Sequence, residues 1–297
     1  MLDEILKILP EKISNEILNV GSNNKITEIR LRVNKRIIVI TSNIEVFLNY
    51  IISLNDLLEI LVRVSKNSLY AIQNDINNGF VVINGGHRIG ICGEVVFQDG
   101  KIRNVKNINS MNIRVSRQLI GCADKLMENI IENQTLKNTL IVSPPGCGKT
   151  TMLRDVVRQV SNGVKRLNFY GKNVGLVDER GEIASVSNGI SNLDVGMRTD
   201  IMSNCPKYTG MEMLVRSMGI SVIATDEIGG KNDLEAIKYA ALSGVKLVFT
   251  MHGKSLEDIK RKNGINELMN EGLFEKVVIL SNESGVPGKI DKIHSIN

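Results

Sequence analysis

The sequence predicts an α/β protein with two domains: a smaller α+β domain, followed by a core that contains a mostly parallel sheet. Three observations support this fold class. The second half of the chain alternates continuous apolar runs with amphipathic helical segments, its first apolar run leads into a glycine-rich loop, and the first part shows half-buried strand patterns instead. Continuous apolar strands separated by helices are typical of parallel sheets covered on both faces. We place the domain boundary between residues 124 and 125.

The first domain, residues 1–124, is predicted to combine strands and helices. Alternating apolar and charged residues indicate half-buried strands, and two β-rich runs that flank Gly85-Gly86 indicate a hairpin. Strands are predicted at Ile26–Val33, Ile37–Ile40 and Asn112–Arg117, and helices before Pro10 and at residues 54–64 and 69–77. A hinge around Gly121–Lys125 leads into the core.

The core, residues 125–297, is predicted to contain one sheet with helices on both sides. Its apolar strands are Leu140–Val142, Gly175–Val177, Val222–Ala224, Val245–Thr250 and Val277–Leu280. A helix at Asp233–Ser243, which Gly244 would end, connects the third of these strands to the fourth. This order of strand, helix and strand favours a parallel sheet.

Composition excludes several classes of protein. With 297 residues, 42% of them hydrophobic and 23% charged, the chain is globular in composition and long enough for two domains. Its longest apolar runs are too short to span a bilayer. The first residues include Asp3 and Glu4, where a secretory signal would carry basic residues, and we therefore expect a cytoplasmic protein.

Cysteine spacing and net charge give weaker constraints. Cys92, Cys122, Cys147 and Cys205 show no CxxC spacing, which argues against a zinc site or a disulfide framework. The net charge of +5 permits contact with nucleic acid or an anionic membrane. It favours neither, because acidic residues are interspersed with the basic ones.

The glycine-rich loop after Thr139–Val142 is the strongest functional signal in the sequence. It precedes a helical segment, and strand, glycine-rich loop and helix in this order are the context of a phosphate-binding P-loop. Gly146 and Gly148 leave room for backbone N–H groups around the β-phosphate, and the start of the helix adds partial positive charge. The predicted nucleotide-binding residues are Ser143, Pro144, Pro145, Gly146, Cys147, Gly148, Lys149, Thr150 and Thr151.

Two of these residues have separate predicted roles. Lys149 is expected to reach the β- and γ-phosphates of ATP, and the Thr150 hydroxyl is expected to bind Mg²⁺. The strict motif begins with glycine where this chain has Ser143, a strand-exit position that tolerates serine if its φ is negative. The alternative is a chance Gly-Lys-Thr in a surface turn, which the flanking strand and helix disfavour. The core is therefore predicted to be a RecA-like P-loop ATPase domain.

Two acidic residues, Asp226 and Glu227, follow the apolar strand Val222–Ala224 closely. They would emerge at the carboxyl edge of the sheet, where ligands bind in such folds. We expect Asp226 to hold Mg²⁺ through water, and Glu227 to orient or deprotonate the attacking water. An acidic pair that begins a surface loop is the ordinary alternative. Downstream of a P-loop, the catalytic interpretation is favoured.

Asp178-Glu179 and His252 also follow apolar runs. Asp178 and Glu179 are predicted to stand beside the metal, with Glu179 as the second candidate for the catalytic base. A solvated turn with local ion pairs is the alternative. His252 is predicted to sense the γ-phosphate through its ring N–H, although a lone histidine is usually structural.

Taken together, these motifs resemble those of the secretion-type ATPases of type II and type IV systems. Those enzymes carry a P-loop, an acidic box, a Gly-Glu or Asp-Glu Walker B motif and a histidine box in this order. Nearly the whole chain also resembles the stage III sporulation AA family of endospore-forming bacteria. The segments that carry this match are Glu28–Arg32, Gly85–Gly93, Asn112–Arg114, Ser143–Thr151, Val177–Arg180, Arg198–Asp200, Cys205–Lys207 and Asp226–Gly229.

The resemblance implies a function that composition and spacing do not. It implies a mother-cell ATPase that uses ATP and Mg²⁺ to power, or to help assemble, a channel complex between mother cell and forespore. It also implies a homo-oligomeric, hexameric ring that lies in the cytoplasm and docks on membrane proteins of that complex. In related secretion ATPases, arginines of the N-terminal domain approach the nucleotide. Arg114 is the best positional match here and Arg88 the second, although each also fits an ordinary strand-face arginine.

Two other functions remain open at this point. The mild basic excess leaves room for a nucleic-acid-stimulated RecA-like ATPase. Aromatic residues are only 4% of the chain and no aromatic–basic stripe is apparent, so we expect no nucleic-acid partner. Ser143 leaves room for a nucleotide-dependent scaffold that does not hydrolyse ATP.

Overall fold

The computed structural model describes residues 2–20, 26–41, 44–66, 68–98, 100–116, 118–187, 189–262, 264–281 and 288–296. The chain divides into two compact units, Met1–Arg117 with Ser187–Asn192 and Gln118–Val186 with Leu193–Asn297. We call them the N-terminal unit and the core unit. This division falls before the boundary expected between residues 124 and 125, and the domain bounds stay a prediction.

The N-terminal unit consists of an antiparallel sheet and short helices. Its helices are Leu2–Ile8 (α1), Glu11–Leu18 (α2), Leu54–Val64 (α3) and Gln73–Asn77 (α4), with 3-10 turns at Leu69–Ile72 and Asn84–Gly86. Its strands are Ile26–Arg32 (β1), Arg36–Thr41 (β2), Glu45–Ile51 (β3), Phe80–Ile83 (β4), His87–Gln98 (β5) and Lys101–Arg114 (β6). The strands hydrogen-bond in the order β3-β2-β1-β6-β5-β4, and the neighbouring strands are antiparallel.

Side-chain alternation places the core of this unit on one face of its sheet. Ile29 and Leu31 of β1 are fully buried, whereas the residue between them is half-buried. The helices cover the same face and add apolar side chains to one cluster. At the start of α3, Ser53 and Asp56 accept each other's backbone N–H groups in a capping box. This cap explains why the helix begins directly after β3.

Most of the elements predicted for this unit are confirmed. The strands predicted at Ile26–Val33 and Ile37–Ile40, the hairpin at Gly85-Gly86 and the helix at 54–64 all occur. The strand predicted at Asn112–Arg117 is the end of the much longer β6, and residue 117 itself lies outside the described residues. The edge strand β3 was not predicted, because only its Leu48 is buried and the apolar pattern is weak.

The core unit contains a second sheet and the remaining helices. Its helices are Asp124–Ile130 (α5), Lys149–Asn162 (α6), Lys207–Ser217 (α7), Lys231–Leu242 (α8), Leu256–Lys260 (α9) and Ile265–Asn270 (α10), with a 3-10 turn at Lys165–Leu167. After β6 the chain forms the strands Ile131–Glu132 (β7), Thr135–Leu136 (β8), Thr139–Ser143 (β9), Gly163–Val164 (β10), Phe169–Tyr170 (β11), Val174–Asp178 (β12), Val186–Ser187 (β13), Ile190–Ser191 (β14), Thr199–Ser203 (β15), Val222–Thr225 (β16), Lys246–His252 (β17), Lys276–Ser281 (β18) and Lys289–Ser295 (β19). Of these strands, β14 and Ser187 of β13 fall in the segment assigned to the N-terminal unit.

The sheet of the core unit is mostly parallel, as predicted. Its strand order is β15-β12-β16-β17-β9-β18-β19, and the final pair, β18 with β19, is antiparallel. Successive buried residues of each inner strand join two different apolar clusters. Ile141 of β9, for example, packs in the cluster that contains α5 and α6, while Leu140 and Val142 pack in the cluster that contains α7 and α8. The sheet is therefore the middle of three layers.

The apolar strands predicted in the core are confirmed, as is the helix that follows β16. Two edge strands, β15 and β19, were not predicted. Each residue of β15 is only half-buried, and the residues of β19 are exposed or half-buried, so neither strand has the continuous apolar run of an inner strand. Among the residues that the structure describes, no helix is both long and apolar enough to cross a membrane.

Candidate active site

Four neighbouring strands of the core sheet end at the same edge. Strands β12, β16, β17 and β9 are adjacent and parallel in that order, so their carboxyl ends meet. The predicted P-loop follows β9, the two acidic pairs lie at the ends of β12 and β16, and His252 ends β17. The fold thus brings the predicted site residues of the core unit to one edge of the sheet.

The P-loop has the backbone that its glycines require. Ser143 is the last residue of β9, is fully buried, and is not among the described residues with positive φ, so serine fits this position. Gly146 and Gly148 have φ of +76° and +82°, where any other residue would be strained. Gly148 is the N-cap residue of α6. The turn from strand to helix therefore depends on these two glycines.

Helix α6 adds partial positive charge at the loop. Its N-cap residue, Gly148, has no side chain that could cap the first N–H groups, which leaves them available to a ligand. Thr150 and Thr151 lie in the first turn and are half-buried. The buried Cys147 donates from Sγ to the Pro145 carbonyl, 3.8 Å away, and its own carbonyl accepts from the Gly288 N–H at 2.8 Å. This thiol fills the loop, as expected of a small residue there.

Lys149 is buried, and its ammonium contacts acceptors of the loop itself. Nζ donates to the carbonyl oxygens of Ser143 at 2.9 Å and Pro144 at 3.0 Å, and lies 3.1 Å from Nδ1 of His252. Burial lowers the pKa of this ammonium, and the charge of Glu227 works in the opposite direction. Phosphate oxygens carry more negative charge than carbonyls, so they would compete well for Nζ.

His252 connects Lys149 to Glu227. An ammonium can only donate hydrogen bonds, so Nδ1 of His252 accepts and Nε2 carries the ring proton. Nε2 lies 2.8 Å from Oε1 of Glu227, and the guanidinium of Arg180 lies 3.0 Å from Oε2. Arg180, Glu227, His252 and Lys149 therefore form a row across the sheet edge, in the order of the strands that carry them. We call these four residues the edge row.

The backbone of Glu227 is fixed by the neighbouring strand. Its φ is +49°, in the left-handed region that residues other than glycine rarely adopt. The N–H of Glu227 donates to Oγ1 of Thr250 at 2.9 Å, and the N–H of Ile228 donates to the carbonyl of Thr250 at 3.0 Å. Thr250 is fully buried in β17. These two bonds hold the turn that places the Glu227 carboxylate between Arg180 and His252.

Asp226 has the surroundings of a cation ligand. It is 3% exposed, and no hydrogen bond or ion pair holds its carboxylate among the residues that the structure describes. Burial, and next the charge of Asp178, raise the pKa of Asp226 to about 6, while Lys207 acts against this rise. A buried carboxylate that lacks donors is costly unless a cation neutralises it. Asp226 therefore fits the Mg²⁺ predicted between it and Thr150.

Magnesium at this place would need few protein ligands. In the part of the chain that the structure describes, no group of three or more His, Cys, Asp or Glu residues could hold a metal ion by itself. Mg²⁺ bound with a nucleotide takes only one or two protein oxygens, because phosphate oxygens and waters complete its octahedron. A hydroxyl from Thr150 and a carboxylate from Asp226 are compatible with that pattern.

Asp178 stabilises a loop. It is fully buried, and its carboxylate accepts hydrogen bonds of 2.8 to 3.3 Å from the successive backbone N–H groups of residues 182–185. The buried Arg154 of α6 donates to the carbonyls of Ile183 at 2.5 Å and Glu182 at 2.6 Å, and burial lowers the pKa of its guanidinium. The Asp178 carboxylate is thus enclosed by backbone donors.

Glu179 points to a different partner. It forms an ion pair with the buried Lys207 at the start of α7. Within the described residues, no hydrogen bond joins it to a member of the edge row. The catalytic role considered for Glu179 stays a prediction.

Arg114 and Arg88 lie in the N-terminal unit. They pair in register on the neighbouring strands β6 and β5. Arg114 is exposed, and Glu28 of β1 lies opposite it on the other side. Arg88 lies 3.6 Å above the ring centre of Phe80, in a cation–π contact. Their predicted approach to a bound nucleotide stays a prediction.

Sequence reasoning gave no role to three residues that organise this site. Arg180 contacts Glu227, Thr250 fixes its backbone, and Lys207 holds Glu179. Arg180 and Lys207 both lie in segments that carry the resemblance to the stage III sporulation AA family. That resemblance was the sequence signal that could have drawn attention to them. Their partners are far away in the chain, so no local pattern indicates the contacts.

Comparison with known proteins supports a specific family. A profile described as "Sporulation stage III, protein AA" matches residues 2–296 of this chain. A protein of Bacillus subtilis (strain 168) named "Stage III sporulation protein AA" is 36% identical over 295 residues, which cover 99% of this chain and 95% of that protein.

Solved structures confirm the fold class. The ATPase DotB of Legionella pneumophila aligns with a TM-score of 0.57 and 12% identity, over 90% of this chain and 75% of that chain. The pilus retraction motor PilT, solved with bound ADP, aligns with a TM-score of 0.56 and 13% identity, over 89% of this chain and 76% of that chain. At such low identity these two structures establish the fold alone.

Proposed function

This chain belongs to the family of sporulation stage III protein AA, as its motifs predicted, and from that premise and the site geometry we propose that it is a magnesium-dependent ATPase. Its hydrolysis would power, or help to assemble, a sporulation channel complex between mother cell and forespore. The edge row supports the proposal most directly. In that row His252 joins Lys149 of the P-loop to Glu227, the candidate base.

Nucleotide binding is assigned to Ser143–Thr151. Backbone N–H groups of the loop and the start of α6 surround the β-phosphate. Lys149 leaves the carbonyls of Ser143 and Pro144 and pairs with the β- and γ-phosphates. Thr150 and Asp226 would hold Mg²⁺, which would supply positive charge next to the phosphate oxygens.

Hydrolysis is assigned to Glu227, which orients the attacking water and accepts its proton. His252 contacts both Lys149 and Glu227 in the structure. In this proposal Lys149 would leave Nδ1 of His252 for the phosphates, and His252 would be the residue through which the base responds to bound nucleotide. Glu179 is the second candidate for the base.

Assembly into a homo-oligomeric, hexameric ring is part of the proposal. The structural neighbours include a protein titled an ATPase and one titled a pilus retraction motor, which favours a motor that works by domain motion. Arg114 of a neighbouring subunit would supply fixed positive charge at the γ-phosphate. The ring would be cytoplasmic and would reach the membrane through proteins of the channel complex.

Phosphate release from ATP, followed over a range of protein concentration, tests the proposal. We expect turnover only with Mg²⁺, loss of ATP binding in Lys149→Ala, and retained binding with a small residual turnover in Glu227→Gln. Circular dichroism would show that each variant is folded. A folded wild-type protein that binds ATP but never hydrolyses it would instead be a nucleotide-dependent scaffold. A fully active monomer would contradict the ring.

The effect of nucleic acid on the ATPase rate distinguishes the proposal from the remaining alternative, a nucleic-acid-stimulated RecA-like ATPase. If DNA or RNA raised the ATPase rate with a steep dependence on salt, the chain would be a nucleic-acid-stimulated enzyme. We expect a rate that nucleic acid does not change.

A further inference from the structure

The edge row contains one residue that none of these roles uses. Arg180 follows β12, and its guanidinium lies 3.0 Å from Oε2 of Glu227. We propose that Arg180 is a positioning residue, which holds the Glu227 carboxylate in the orientation that acts on the attacking water. The inference rests on the proposed function, because only a catalytic Glu227 needs a fixed orientation.

Glu227 is held from the strands on both of its sides. From the β17 side, Nε2 of His252 contacts Oε1 at 2.8 Å. From the β12 side, Arg180 contacts Oε2. The backbone is fixed independently, by the bond from the Glu227 N–H to Thr250. With one contact on each oxygen, the plane of the carboxylate is set by two strands, and loss of Arg180 would leave it free to rotate about the His252 contact.

The two acidic residues directly before Arg180 have other partners. Glu179, the residue before it, pairs with Lys207. Asp178 accepts backbone N–H groups of residues 182–185 with both carboxylate oxygens. Neither of these two carboxylates therefore competes with Glu227 for the guanidinium of Arg180.

The ion pair contributes little to folding, which separates positioning from stability. The Arg180 side chain is 56% exposed and that of Glu227 is 26% exposed. Exposed ion pairs have small effects on stability, because water and salt screen them and two long side chains must be ordered. Removal of Arg180 should therefore leave a folded protein whose main change is in the position of one carboxylate.

Steady-state kinetics of Arg180→Gln test the inference. A base displaced by about 1 Å loses on the order of 10- to 100-fold in rate. We expect kcat to fall by that factor while KM for MgATP stays within about twofold, because among the described residues no hydrogen bond or ion pair joins Arg180 to the P-loop. Arg180→Lys keeps the charge but not the planar guanidinium, and should have an intermediate kcat. Arg216→Gln is the matched control, because Arg216 is also an exposed arginine in an ion pair, with Glu212 on α7.

A second pair of variants tests whether Arg180 affects kcat through Glu227 or independently of it. In a Glu227→Gln background, Arg180→Gln should cause no further loss of kcat, because there is no carboxylate left to position. A folded Arg180→Gln protein with wild-type kcat would overturn the inference, as would an equal loss in both backgrounds or a change in KM alone. Should Arg180→Gln not fold, a folded Arg180→Lys protein with wild-type kcat would overturn it. A wild-type chain without turnover would overturn the proposed function itself, which makes the two failures distinguishable.

Discussion

Two adjacent strands of the core sheet lead into the same dipeptide, Asp-Glu, and the two pairs have different surroundings. At the end of β12, Asp178 is enclosed by backbone N–H groups and Glu179 pairs with Lys207. After β16, Asp226 has no donor among the described residues, and Glu227 contacts His252 and Arg180. The first pair is suited to hold a loop, and the second to bind a cation and activate water.

The loop that follows each strand determines the surroundings of its acidic residues. After β12 the chain turns so that the N–H groups of residues 182–185 donate to the Asp178 carboxylate. After Glu227 the chain leads through Gly229 and Gly230 into α8, and the N–H groups there donate to Asp233 instead. Ionisation of a buried carboxylate without donors is costly unless a cation is bound.

The largest expected difference between the two pairs is in the free energy of unfolding, after either aspartate is replaced by alanine. Asp178→Ala leaves several buried N–H groups without a partner and the buried Arg154 without its nearby charge. We expect the free energy of unfolding in urea to fall by about 3–5 kcal/mol. Asp226→Ala, measured in the same buffer without metal, should lower the free energy of unfolding far less than Asp178→Ala does. Equal losses would break the distinction between the two carboxylates.

The two glutamates should differ in catalysis. Glu227→Gln removes the group that orients water, and we expect kcat to fall by about 100-fold or more, which corresponds to about 3 kcal/mol. Glu179→Gln, in contrast, should change kcat by less than about fivefold, because Glu179 contacts Lys207 rather than the edge row. A larger loss in Glu179→Gln would make Glu179 the main base.

The pH dependence of stability should differ between wild type and Asp226→Asn. The pKa of Asp226 is about 6 in the folded chain and about 4 in an unfolded one, so the folded state binds the proton more tightly. The contribution of Asp226 to the free energy of unfolding is fully present below about pH 4. It decreases by about 2–3 kcal/mol in total as the pH rises through 6. Asp226→Asn should abolish that part of the pH profile, measured by urea unfolding without metal. If the stability of the two proteins depended on pH in the same way, Asp226 would not have the raised pKa expected of a buried carboxylate without donors.

The smallest predicted effect concerns the ion pair of Glu179. Because Lys207 is buried and Glu179 is partly exposed, we expect Glu179→Gln to lower the free energy of unfolding by about 1 kcal/mol. Glu212→Gln is the matched control, since Glu212 pairs with Arg216 on the surface of α7, and its loss should be below about 0.5 kcal/mol. A Glu179 variant as stable as the wild type would leave its carboxylate without a structural function.

Local patterns predicted the fold class and much of the candidate site. The inner strands have continuous apolar runs, and the P-loop has its glycines, lysine and threonine in sequence, so each could be identified from neighbouring residues. The edge strands β3, β15 and β19 lack such runs and were missed. Edge strands are paired on one side only, so burial leaves a weaker pattern in their sequence.

The environments of the acids could not be predicted in the same way. Asp178-Glu179 and Asp226-Glu227 look alike as dipeptides, and the sequence suggested a metal-proximal role for both. Their difference depends on contacts with distant residues: Arg154 closes the loop around Asp178, and Arg180 reaches Glu227 across 47 positions of the chain. Contacts of this kind follow from the order of the strands in the sheet, which no local pattern specifies.

Calorimetric titration of Glu227→Gln with ATP and Mg²⁺ is the decisive measurement, because this variant should bind the nucleotide while hydrolysing it at least about 100-fold more slowly than the wild type. We expect saturable binding at one site per chain that requires Mg²⁺ and that disappears in a folded Lys149→Glu, Glu227→Gln double variant. Absence of binding to well-folded protein, or unchanged binding after charge reversal at Lys149, would contradict a nucleotide site at this edge of the sheet.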